Sequence, residues 1–551
     1  MSREAVRHSL RERAFDLFGL LAVLLPLLFC LASDAVHTSL WLDEVTYHYY
    51  ENDPALRSAE LGRTGSTVAP YLGVFFHADV QRFLHAAVRP LGLTLQSDPE
   101  LYLRFGSIVW FALAAAAVYV FLRRRLPGRL DALLGGLAFS SMPIFLHYAF
   151  EARVYAMTLM LVVLLLAAVD AASTRPTAGR LALAALIGLL TAHSHAWTLC
   201  VFAGLVLAAA VQGLLEKRLT SWGRAAATAS LPAIALIGAE TLYMKATDPG
   251  DPLFPPFAPQ DLLVTLWHLL FSSFTGVRLT MFIGDGLAST FLQLAGGAAL
   301  LGLAALALRM GSDQQDGNRP RAWTGAAMAA FGVCLLLAVT HGFYMHARYS
   351  VPLVGAFVFA VARFPSRPGR LLLLLLVSCN LGLLPAALDG LGARGSMKQV
   401  AGLIEEHGGR DVGVVCQHVV GEGFALPVQA MVLDFYLNVL HPDEPPIPVY
   451  ELPDLALVNG RRGVYDLFAG GPRAYDRYLR SLPDLWRERS WLLPRHLFVL
   501  QQAWNVEAGN RQSRDFARAM LEAGAWQVVA KRTVTSFPPT LLVEARRADG
   551  R

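Results

Sequence analysis

Charge is scarce in this chain. Only 16% of its 551 residues are Asp, Glu, Lys or Arg, against 55% hydrophobic residues and a mean hydropathy of +0.44. Such a balance excludes an ordinary soluble globule, and the length exceeds a single domain. Cysteine is also sparse: Cys30, Cys200, Cys334 and Cys379 fall within apolar runs, and Cys416 stands alone in the polar C-terminal part. That part therefore cannot close an internal disulfide, and no CxxC spacing offers a thiolate metal site. There is no repeat of fixed period and no low-complexity segment. The net charge of +5 is small, and its distribution says more than its size, because the arginines gather between apolar runs, where they orient membrane spans. No nucleic-acid partner is expected; membrane lipids are.

What the chain does have is a succession of those runs. Arg3, Arg7, Arg11 and Arg13 precede an apolar stretch at residues 15–32 that is longer than a signal-peptide core and lacks a small-residue cleavage site, so it reads as a retained first span with a cytoplasmic N-terminus. Residues 34–103 form an outer loop with interleaved aromatic and basic residues, expected to hold one or two short helices in the membrane interface. A second span (104–122) ends in Arg123-Arg124-Arg125, a third covers 130–149, and a fourth falls to Arg175 and Arg180. Residues 181–215 read as a hairpin of two spans turning near His193-Ser194-His195. A seventh span (225–243) leads to a second outer loop (244–286), broken by Pro249, Pro252, Pro255 and Pro256. Spans at 287–308, before His341, before Arg363 and at 371–388 complete a polytopic α-helical membrane domain over residues 1–392, with about eleven transmembrane helices. An odd count places residues 393–551 outside. There the composition becomes that of a soluble α/β domain: a helix at 396–407 stopped by Gly408-Gly409, strands at 411–420, 447–452 and 496–501, a helix at 513–523, and two paired strands at 526–535 and 540–545.

The stretch that organises the chemistry is Trp41-Leu42-Asp43-Glu44, followed by Tyr47 and His48. Neighbouring helical positions point about 100° apart, so one carboxylate would act and the other would position or pair; the plainer alternative is a helix cap or a solvated acidic pair. With the topology drawn, the polar residues in or beside the spans sort to the outer side: Asp43, Glu44, His48, Arg104, His147, Glu151, Arg153, His193, His195, Lys245, His346 and Arg348. Ionisable groups near a bilayer are costly and line cavities or pair with one another. Carboxylates can take a proton from an attacking hydroxyl, and arginines match phosphate oxygens, so together they suit group transfer from a phosphate-linked carrier. Taken singly, Arg104 could snorkel, Glu151 and Arg153 could pair across a turn, His193 and His195 could be interfacial hydrogen-bonding groups, and Arg348-Tyr349 could belong to an aromatic belt.

Four motifs in order, Trp41-Leu42-Asp43-Glu44, Leu101-Tyr102-Leu103-Arg104-Phe105-Gly106, Glu151-Ala152-Arg153-Val154-Tyr155 and Ala347-Arg348-Tyr349, resemble those of GT-C superfamily glycosyltransferases, nearest to the protein O-mannosyltransferase and lipid A aminoarabinose transferase group. The resemblance implies an enzyme that moves a sugar from a polyprenyl-phosphate donor to a lipid, glycan or protein acceptor on the extracytoplasmic face of a bacterial inner membrane. It implies Asp43 as general base beside Glu44, and Arg104, Arg348, Lys245 and Arg153 as donor-phosphate ligands. Trp41, Tyr47, His48, Glu151, Tyr155, His193, His195, His346 and Tyr349 would line the cavity. Asp248 and Asp251, with two residues between them, are the acidic pair that the second outer loop offers where an oligosaccharyltransferase would show a second acidic motif for a metal, Asp261 and Asp285 standing singly further on. The tail has no WWDYG-like motif, which argues against an oligosaccharyltransferase and leaves open whether a divalent cation takes part. The rival readings are a flippase for lipid-linked saccharides, disfavoured by the missing inverted repeat, and a non-catalytic assembly protein on the same scaffold.

Overall fold

The computed structural model describes residues 3–33, 37–38, 40, 44–45, 48, 69–247, 287–309, 319–341, 350–362, 366–392, 397–417, 420–421, 424–425, 428–451, 456–458, 493–502, 526–534 and 540–548. The chain divides into two compact units. One comprises Met1–Val36, Leu61–Leu84 and Arg104–Gly392; the other comprises His37–Glu60, His85–Leu103 and Ala393–Arg551.

The helices of the described N-terminal portion are α1 (Arg3–Leu31), α2 (Ala69–Val88), α3 (Pro99–Arg125), α4 (Arg129–Ser140), α5 (Pro143–Ala149), α6 (Tyr155–Thr174), α7 (Ala178–Ser194), α8 (Thr198–Glu216), α9 (Ser221–Thr247), α10 (Leu287–Arg309), α11 (Arg319–His341), α12 (Val351–Val361) and α13 (Arg367–Gly392). Among the described residues, six helices are long and apolar enough to cross a membrane, and seven if the bent pair α4 and α5 counts as one span. The shorter apolar helices α7 and α12, and the long helix α9, stand where further spans were expected. The turn near residues 193–195 is as expected: α7 ends at Ser194 and α8 begins at Thr198. The run at 130–149, expected as one span, is two helices meeting at 59°, because Pro143 at the start of α5 cannot continue the hydrogen-bond ladder of α4. Asn380 on α13 donates to Ser141 Oγ (3.2 Å) at this break.

Small residues let the helices approach closely, as bilayer packing favours. A Cβ added at Gly204 of α8 would meet the Ala326 carbonyl of α11 and lie 2.8 Å from the Ala330 nitrogen. Three arginine–aspartate pairs tie the bundle near the helix ends that carry the arginines: Arg123 with Asp16 (2.7 Å), Arg125 with Asp170, and Arg370 with Asp131 through both oxygens (2.9 Å for the Nη2 contact).

In the second unit, α14 (Met397–Gly408) packs Met397, Val400, Ala401 and Ile404 inward and ends at Gly409, whose φ of +62° suits a residue without Cβ. It precedes a six-stranded sheet of order β5-β4-β1-β6-β8-β7, with β1 (Gly413–Gln417) parallel to β4 (Val449–Glu451) and β6 (His496–Gln502). β5 (Ala456–Val458) pairs antiparallel with β4, and β8 (Thr540–Arg547) lies antiparallel between β6 and β7 (Trp526–Val534). A small hairpin, β2 (Val420–Gly421) and β3 (Phe424–Ala425), stands apart from this sheet. The expected strand pair at 526–535 and 540–545 is present; the helix expected at 513–523 lies outside the described residues. Between β1 and β4, α15 (Val428–Asp434) runs on into a π-helical turn at Phe435–Val439, an element the sequence pattern did not suggest. Asp434 at the end of α15 is buried. Burial pushes its carboxyl up to about 6, opposed by a hydrogen bond from Asn438 Nδ2 (2.8 Å).

Candidate functional site

Within the first unit, two inter-helix turns and the first part of α3 bring polar residues together. The α5–α6 turn carries Glu151 and Arg153. Glu151 is 5% exposed, with His147 Nε2 3.6 Å from one oxygen and Arg153 Nη1 4.0 Å from the other. His147 lies in the last turn of α5 and Glu151 just past its end, so the chain leaving the helix at Phe150 brings the two side chains together. Arg153 also lies over the Tyr155 ring (5.0 Å), and Tyr155 in turn faces His195 of the α7–α8 turn (5.3 Å) and Tyr148 (4.8 Å). Ser107 on α3 donates to the Arg153 carbonyl (3.2 Å), joining the start of that helix to the same turn. Arg104, three residues earlier and so on the same side of α3, is 1% exposed. An arginine this deeply placed does not snorkel. His195 Nδ1 accepts from the Trp197 N–H (3.2 Å), while His193 Nδ1 is buried and finds no partner among the described residues. The cluster thus joins a carboxylate, a guanidinium, imidazoles and phenols at the bundle end opposite Arg123–Arg125, a mix able to hold an anion and a polyhydroxyl group.

The second unit holds the acidic stretch. Glu44 is fully buried and His48 meets the Phe435 ring edge-on at 5.6 Å, while Asp43, Trp41 and Tyr47 lie outside the described residues. So do His346, Arg348 and Tyr349, together with Asp248 and Asp251; of Lys245 the structure describes the backbone only. Sequence reading missed the residues that anchor this stretch. The Tyr436 hydroxyl accepts from the Leu40 N–H (2.9 Å) and donates to Glu100 Oε1 (3.0 Å), which also meets Lys398 Nζ at 3.0 Å. The only signal available was Glu100 opening α3 after Pro99, a frequent and uninformative pattern. His37, Asp98 and Glu100 offer ligand atoms within 4.8 Å of one another, the one such group among the described residues, but the Lys398 ammonium already supplies the positive charge there.

These features define a polytopic helical membrane protein with a partly buried polar cluster at one end of its bundle. No protein-family model and no curated protein sequence matches the chain. Among solved structures it is similar to ArnT from Cupriavidus metallidurans bound to undecaprenyl phosphate, with a TM-score of 0.50 and 13% identity over 95% of this chain and 97% of that one. The apo state of the same protein aligns with a TM-score of 0.43 and 13% identity over 98% of each chain. The chain therefore shares the ArnT fold, the fold expected from its short motifs.

Proposed function

We propose that this protein is a membrane glycosyltransferase that takes a sugar from a polyprenyl-phosphate donor and passes it to an acceptor on the extracytoplasmic face. The observation that carries the reading is the grouping of half-buried Arg153 and His195 with buried Glu151 and Tyr155, beside a buried Arg104 on α3, in a chain with the fold of a protein crystallised with undecaprenyl phosphate. In this reading the chain crosses the membrane eleven times, its C-terminal α/β part lies outside, and the arginine-rich loops face the cytoplasm.

The donor phosphate is held by Arg104 and Arg153, with Lys245 and Arg348 as further cations. Asp43 takes the proton of the acceptor hydroxyl or amine as that atom bonds to the anomeric carbon. The bond from that carbon to the phosphate oxygen breaks on the opposite face, and polyprenyl phosphate leaves with the electron pair, inverting the centre. Phosphate is already a good leaving group, so positioning and charge stabilisation suffice without a covalent intermediate. The test is transfer by the purified protein from polyprenyl-phosphate-linked pentoses and hexoses, alongside mass analysis of envelope lipids and glycans in a deletion strain. Asp43→Asn should abolish transfer at unchanged expression; full activity in that variant removes the assignment. Vesicles that move the donor across the bilayer without any acceptor would instead support a flippase.

A further inference from the structure

We propose that Tyr436 is a positioning residue for the Asp43-Glu44 stretch, acting with Glu100 and Lys398 as a brace; this rests on the reading of Asp43 as the base. A phenol has one proton and a free rotor. Here both of its roles are taken: the proton goes to Glu100 Oε1 (3.0 Å) and a lone pair receives the Leu40 N–H (2.9 Å). Glu100 is 1% exposed and paired with Lys398 Nζ (3.0 Å), so it is a charged acceptor that fixes the hydroxyl's direction. Lys398 Nζ also reaches the His37 carbonyl (3.4 Å), and the His37 ring meets Asp98 (3.3 Å). Next to Tyr436, Phe435 takes the edge of His48.

The backbone at residues 37 and 40 and the side chain at 48 are thus held on either side of Glu44, whose burial is complete. Glu44 follows the anchored Leu40 by four residues, roughly 13 Å of extended chain, so this anchor limits where Glu44 can go. A general base displaced by an ångström loses much of its rate while donor binding is untouched. The brace thereby gives the C-terminal part a role in the reaction without contact to the reacting atoms.

Tyr436→Phe keeps the ring and removes only the hydroxyl. In the full-length protein we expect kcat to fall roughly tenfold, with the donor KM within about twofold and the melting temperature nearly unchanged. Combined with Asp43→Glu, the two losses should be non-additive, whereas a generally structural role would lower thermal stability and add. Amide exchange over residues 37–48 should rise in Tyr436→Phe whether or not transfer is measured. Wild-type kcat and unchanged exchange in Tyr436→Phe overturn the brace and leave the transferase reading intact. A wild-type protein that transfers no sugar, with exchange still raised in the variant, overturns the transferase reading while the structural brace stands.

Discussion

Asp434 sets up a measurable pH dependence. Its carboxyl is moved from an ordinary 3.8 up to about 6 because burial disfavours the charged form more than the Asn438 hydrogen bond favours it. Between those two values the folded chain keeps a proton that the unfolded chain has lost, so stability falls as pH rises through the window. Above pH 6 the shift of about two units amounts to a penalty of up to about 3 kcal/mol. Asp434→Asn removes the titration, and the amide oxygen can still accept from Asn438. The helix at residues 428–439 should then open less often at pH 8, by up to about a hundredfold, and equally often at pH 4. Hydrogen exchange of those amides, corrected for the pH dependence of intrinsic exchange, reads this directly. If wild type and variant show parallel profiles between pH 4 and pH 8, the carboxyl is not titrating in a buried site and the reasoning fails.

Other outcomes follow from single contacts. Ser107→Ala leaves the Arg153 carbonyl without its donor at a cost of about 1–3 kcal/mol, which should raise the donor KM about tenfold with kcat little changed; steady-state kinetics over a donor series decide it. Gly204→Val forces a side chain against the α11 backbone, and a destabilisation of about 2 kcal/mol should appear as a lower melting temperature in detergent, with Gly204→Ala intermediate.

Much of the helical part was legible from residues alone. Apolar runs of span length bounded by arginines placed α3, α6, α8 and α13 because both length and charge asymmetry are local properties of the chain. The α7–α8 turn and the stop at Gly409 were legible for the same reason. The bend at α4–α5 was less so, since a proline such as Pro143 in Ser140-Ser141-Met142-Pro143 can open a helix or kink one, and neighbouring packing decides. Of the candidate site, the Glu151–Arg153–Tyr155 turn was readable as a motif, but its link to Ser107 was not.

The residues themselves determined that this chain is built of membrane-spanning helices and where several of them end, and they supplied the candidates for phosphate and proton chemistry that remain a proposal. Tertiary structure alone decided that Tyr436 bonds to Leu40, 396 positions away, and to Glu100, 336 away. Periodicity reports only which face of an element is apolar. It holds no information about which distant hydroxyl will satisfy a buried N–H, because that pairing is selected by the packing of whole elements against one another.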